Sequence, residues 1–63
     1  MITIEQAKDR IDCEVIYRPR GQSDREQIGI ITKVNDAGLV FVRYGDDRYS
    51  KATYPVDLYW PGS

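Results

Sequence analysis

The sequence predicts a mostly β domain, a small five-stranded barrel preceded by a short helix, and three observations carry that expectation. Ile28 to Tyr44 holds two runs rich in Ile, Val, Phe and Tyr on either side of Asn35-Asp36-Ala37-Gly38. That is the pattern of a β-hairpin, because Asn and Asp start turns through side-chain to backbone hydrogen bonds and Gly accepts positive φ. Ile11, Cys13, Val15 and Tyr17 alternate with Asp12, Glu14, Ile16 and Arg18, the period of two expected of a half-buried strand. Beyond the hairpin, short apolar runs are punctuated by Gly45-Asp46-Asp47 and by Pro55, which leaves room for short strands and tight turns only.

In chain order, residues 1–10 read as the helix. Thr3 with Gln6 three residues on is a capping box, Ile2 and Ala7 have the spacing of a hydrophobic staple, and Glu5 lies in the first turn. Two turns cannot stand alone, so packing through Ile4 and Ala7 or the Lys8 methylenes is expected to hold them. Residues 11–60 form the barrel. In its first strand, Cys13 falls on the apolar side and reads as core. Arg18 to Glu26 has no apolar residue except Pro19 and reads as an exposed loop, a place where binding residues concentrate. In the second strand Ile31 and Val34 are three apart, which predicts a β-bulge near Thr32-Lys33, and Gly29 suits a strongly curved strand. Val40, Val42 and Tyr44 then share one face, with Leu39, Phe41 and Arg43 on the other. A fourth strand is expected from Tyr49 to Thr53, a 3₁₀ turn over Tyr54 to Leu58, and a last strand at Tyr59-Trp60, with residues 61–63 a frayed end.

Sixty-three residues suffice for one domain, since a chain this short buries only about 60% of its unfolded surface. Domains of this size are usually stapled by disulfides, a metal or oligomerisation. Cys13 is the only cysteine and His is absent, so an intrachain disulfide is excluded, a zinc site lacks its usual ligands, and self-association is the staple left. The net charge of −1, with nine basic and ten acidic residues, argues against strong backbone-driven nucleic-acid binding while leaving room for a local basic patch. No leader pattern and no apolar run near the roughly 18 residues of a membrane span occur. The lone cysteine fits a reducing cytoplasm, and no membrane partner is expected.

The order of a helix turn, five short strands and a turn before the last strand is the layout of an SH3-like barrel, and Cys13 to Trp60 resembles the small SH3-like proteins encoded by phages and prophages. The resemblance rests on Val15-Ile16-Tyr17, on Gly29-Ile30-Ile31-Thr32, on Val40-Phe41-Val42-Arg43-Tyr44-Gly45, and on Ala52-Thr53-Tyr54-Pro55-Val56-Asp57-Leu58-Tyr59-Trp60. It implies the fold, a phage or prophage origin and a bacterial or phage-infected cytoplasm, but no activity. More distantly, Val42-Arg43-Tyr44 with Asp57-Leu58 is similar to Tudor domains, whose aromatic cage binds methylated lysine or arginine. That similarity places Tyr17 and Tyr44 on cage positions, with Gln27 and Asp47 where the family has further rings. Two rings hold a cation less well than four.

No catalytic set, cofactor motif or metal set is visible. Ser23, Ser50 and Ser63 lack a partner base, Asp46-Asp47 is turn chemistry, and Gly29, Gly38 and Gly45 are too far apart to cradle a phosphate. The most suggestive set interleaves basic and aromatic residues: Tyr17, Arg18, Arg20, Arg43, Arg48, Tyr49 and Lys51, with Tyr44 beside them. Tyr with Arg is the composition of protein-protein hot spots, and rings beside Arg also suit single-stranded nucleic acid. The plainer alternative puts Tyr44 in the core and leaves the arginines as surface charges balanced by Asp24, Glu26, Asp46 and Asp47. The expected function is a non-catalytic protein-protein interaction module of phage type, the alternative a weak single-stranded nucleic-acid or modified-residue binder through the Tyr/Arg surface. Leu39 and Phe41 face away from Val40 and Val42 and, with Ile16 and Ile30, form a second apolar set. Either the helix and Trp60 close that set, or it marks the face of a two-fold homodimer.

Overall fold

The computed structural model describes residues 1–19 and 25–62. Its elements are α1 (Ile4–Lys8), β1 (Glu14–Tyr17), β2 (Gln27–Val34), β3 (Val40–Tyr44), β4 (Lys51–Thr53), a 3₁₀ turn (Pro55–Asp57) and β5 (Leu58–Tyr59). All strand pairs are antiparallel, in the order β4-β3-β2-β1-β5. The architecture is therefore one five-stranded antiparallel sheet with one short helix. Among the described residues β4 and β5 form its two edges and do not pair, so the sheet is open rather than the closed barrel expected over residues 11–60.

The helix is shorter than residues 1–10 but begins where its cap dictates. The Gln6 amide donates to Thr3 Oγ1 (3.1 Å) and the Thr3 amide to Gln6 Oε1 (3.0 Å), closing the capping box. Ile2 and Ala7, the two ends of the staple, are both buried, and Ile4 packs beside them, whereas Lys8 is exposed. The Ile2 amide also donates to Pro55 O (3.1 Å), which ties the segment ahead of the helix to the 3₁₀ turn.

Cys13 is exposed, not core. The alternation read from Ile11 assumes that the strand starts there. Instead, Arg10 to Cys13 makes a turn in which the Cys13 amide donates to Arg10 O and Asp12 has φ +72°. A left-handed residue breaks the alternation of side chains, so β1 begins at Glu14 and only Val15 and Tyr17 keep the inward direction.

The hairpin forms as its turn chemistry requires. Asn35 Oδ1 accepts from the Ala37 amide (3.0 Å) and the Leu39 amide (2.9 Å), and Gly38 has φ +84°. The β2–β3 register shifts between Ile31 and Lys33, leaving Thr32 as the extra residue of a bulge. Thr32 Oγ1 donates to Phe41 O (3.2 Å) and shares a 2.6 Å hydrogen bond with Ser50 Oγ, so the bulge supplies its own polar partner and tethers the chain entering β4. Tyr49 lies before β4 and is 80% exposed. Trp60 likewise follows β5 rather than belonging to it.

Directly opposed residues in an antiparallel pair share a face, so the register separates two faces. The inner one carries Val15, Ile31, Val40, Val42 and Leu58, all fully buried. Against them pack Ile2, Ala7, Ile4, Val34 and Trp60, the last beneath the Arg10 guanidinium at 5.0 Å from its ring centroid. At about 1.5–3 kcal/mol per fully buried aliphatic side chain, these residues are the main source of stability.

Candidate functional site

Val15, Gly29 and Tyr44 form one row of the inner face, and Tyr44, only 8% exposed, belongs to the core as the plainer alternative had it; the face opens beyond that row. The same face carries Tyr17 opposite Gln27, and Gly29 opposite Tyr44. A side chain at Gly29 would collide there, since a Cβ would stand 2.5 Å from Val42 Cγ1, 2.9 Å from Arg43 O and 2.9 Å from Tyr44 Cδ1. The missing side chain lets Tyr44 lie flat across β2. Its ring meets that of Tyr17 edge to face at 5.8 Å, and its hydroxyl shares a 2.8 Å hydrogen bond with Thr53 Oγ1 on β4. Burial pushes the Tyr44 phenol above its ordinary pKa near 10, partly opposed by the Thr53 hydrogen bond.

These residues line an open groove of about 450 Å³ together with Lys51, Ala52, Tyr54 and Asp57. Three rings from three parts of the chain thus reach one space: Tyr17 from β1, Tyr44 from β3 and Tyr54 from the start of the 3₁₀ turn. Tyr54 is 66% exposed. A second depression of about 440 Å³, lined by Gln27, Ile28, Tyr44, Gly45, Asp46, Asp47 and Lys51, continues the first past Tyr44. Lys51 stands between them and pairs with Asp47 at 3.8 Å.

The basic and aromatic residues expected to act together are divided. Tyr17 and Lys51 reach the groove, with Tyr44. Arg18 lies on the outer face, where its Nε donates to Glu26 Oε1 (3.2 Å) and its guanidinium covers the Tyr59 ring at 4.7 Å. Arg43 is exposed on that outer face too. Arg48 and Tyr49 lie in the exposed connection to β4, and Arg20 lies outside the described residues. Tyr54, Thr53 and Asp57, absent from the expected set, line the groove; their signal was Pro55, which forces the tight turn and places Tyr54 at its start.

Neither the helix nor Trp60 covers the outer apolar set, because both pack on the inner face. Phe41 is half-buried with the Lys33 ammonium 5.9 Å from its ring centroid, and Leu39 is half-buried at the end of the hairpin turn. Among the described residues no group of three or more His, Cys, Asp or Glu is placed to hold a metal ion, and no helix is long and apolar enough to cross a membrane. No protein-family model matches the chain, and neither a curated protein nor a solved structure matches it significantly.

Proposed function

We propose that this chain is a non-catalytic interaction module of SH3-like barrel type that takes an extended segment of a partner protein into the tyrosine-lined groove. The single observation that carries this reading is the convergence of Tyr17, Tyr44 and Tyr54 on one open trough beside an unpaired strand edge, β4. Rings bury much apolar area at low conformational cost, and a free edge offers main-chain hydrogen bonds to an extended peptide. The strand order β4-β3-β2-β1-β5 with a 3₁₀ turn between β4 and β5 supports the barrel type. A phage or prophage origin and a cytoplasmic setting rest on the sequence resemblance alone.

A modified-residue reading gains from Tyr54, whose exposed ring joins Tyr17 and the largely buried Tyr44 in a lining that includes Asp57, a setting that suits a methylated ammonium on the partner segment. The nucleic-acid reading loses, because Arg18, stacked on Tyr59, and Arg43 lie on the outer face, away from the tyrosines of the groove.

The test is nuclear magnetic resonance titration with arrayed peptides, unmodified and lysine-methylated, and with single-stranded RNA and DNA. The expected result is a peptide that shifts the amides of Tyr17, Tyr44, Thr53 and Tyr54, and whose binding Tyr54→Ala abolishes with little change in thermal stability. Binding of nucleic acid with a steep salt dependence, or peptide shifts confined to the outer face, would overturn the proposal.

A further inference from the structure

The outer face of the sheet is apolar at its centre and oppositely charged at its two sides. From the register, the outward residues of β5, β1 and β2 form a row Tyr59–Ile16–Ile28, and those of β1, β2 and β3 form the next row Glu14–Ile30–Arg43. Ile28 is 57% exposed, Ile16 and Ile30 are partly exposed, and Glu14 and Arg43 are exposed. Neither Glu14 nor Arg43 has an ion-pair partner within the described residues. An apolar strip on a free sheet face, flanked by one unpaired acid and one unpaired base, calls for a partner of the same composition in reverse order.

We infer that this face is the two-fold interface of a homodimer, with Ile28 and Ile30 at its centre and Glu14 of each copy paired with Arg43 of the other. The charges select the axis. A two-fold lying between the two sheets and parallel to β2 places Glu14 over Arg43 on both sides and brings Ile28 and Ile30 against their own copies. A two-fold perpendicular to the strands and running along the Glu14–Ile30–Arg43 row would instead set Glu14 over Glu14 and Arg43 over Arg43, which like-charge repulsion opposes, and one between the rows would leave both charges unpaired. Lys33, the next outward residue of β2, lies past the bulge with its ammonium drawn over Phe41, so Phe41 and Leu39 sit at the rim rather than the centre.

Four strands at about 4.8 Å and about four residues at 3.4 Å each cover a footprint smaller than the roughly 800 Å² per partner of a standard interface. Association in the micromolar to millimolar range follows. The grooves lie on the opposite face of each sheet, so the dimer would present two of them, pointing apart, to a partner with repeated segments.

Sedimentation equilibrium from about 10 μM to 1 mM tests the inference. A monomer–dimer equilibrium is expected, abolished by Ile28→Lys with an unchanged circular-dichroism spectrum. Glu14→Arg and Arg43→Glu should each weaken it at least roughly tenfold, and combining them should restore it. A single 7.3 kDa species throughout, a dimer indifferent to Glu14→Arg, or a double swap that fails to restore association would overturn it. Tyr54→Ala should leave the dimer intact, which separates this inference from the groove's function.

Discussion

Replacing Gly29 by alanine tests how β2, β3 and the groove are joined. Three atoms stand where the new methyl would go, and they differ in freedom. The Val42 side chain, 2.5 Å away, is fully buried and cannot rotate out without displacing other core groups, and Arg43 O, at 2.9 Å, belongs to the backbone of the paired strand. Tyr44 Cδ1, also at 2.9 Å, belongs to a ring that can tilt, but tilting moves its hydroxyl from Thr53. Overpacking of this kind costs about 1–3 kcal/mol, and rigid backbone puts this site near the upper end. Gly29 is not among the glycines with positive φ, so alanine recovers about 0.4–1 kcal/mol through the unfolded chain. A net loss of roughly 2 kcal/mol follows, which in a domain of this size lowers Tm by about 8–16 °C. Thermal unfolding followed by circular dichroism measures it, with the Tyr17 and Tyr44 amide shifts reporting whether the groove has moved. A Tm within about 3 °C of the parent would refute the close approach of β3 to β2 on which the groove depends.

Tyr44→Phe should cost about 1 kcal/mol at neutral pH through the lost hydrogen bond to Thr53. Because the folded-state pKa of Tyr44 is raised, its contribution is fully present below about pH 10 and is lost as pH rises through the folded value. Denaturant unfolding across the alkaline range should therefore fall less steeply for Tyr44→Phe than for the parent, and equal slopes would contradict the burial of that phenol. Asn35→Ala removes the acceptor shared by the Ala37 and Leu39 amides and should lower stability by about 1 kcal/mol, a Tm loss of about 4–8 °C; an unchanged Tm would mean that Gly38 alone holds the turn.

Local chemistry was the legible part of the chain. The capping box, the Asn35 turn, the bulge and the 3₁₀ turn each depend on side chains within a few residues of one another, and each forms where those residues stand. What could not be read depends on where a strand begins and on which way its residues face. Cys13 is outside because Asp12 adopts a left-handed conformation, which no apolar pattern announces. The Tyr/Arg set failed to assemble for a reason its own spacing contained: Tyr17 and Arg18 are consecutive in or beside β1, and Arg43 and Tyr44 are consecutive in β3. Neighbours in a strand point to opposite faces. Tyr54 escaped for the converse reason, since a ring at the start of a 3₁₀ turn reaches the groove only through the fold of β4 back onto β3.

The division of the sheet into an enclosed face and a free one turns on Thr32. In a regular ladder, continuing from Ile31 opposite Val42, Thr32 would face Phe41 on the outside, Lys33 would turn inward beside Val40, and Val34 would be left in water. An uncompensated ammonium inside so small a core would cost far more than one ladder irregularity. With Thr32 as the extra residue, Lys33 stands opposite Phe41 on the outer face and Val34 opposite Val40, packed on the core. The Phe41 carbonyl accepts the Thr32 hydroxyl. Because a bulge also bends its strand, β2 bends past Ile31, at the end of the hairpin where Val34 packs on the core. At its other end the tyrosines line a groove on one side, while on the other Ile28 is exposed and Ile30 partly so.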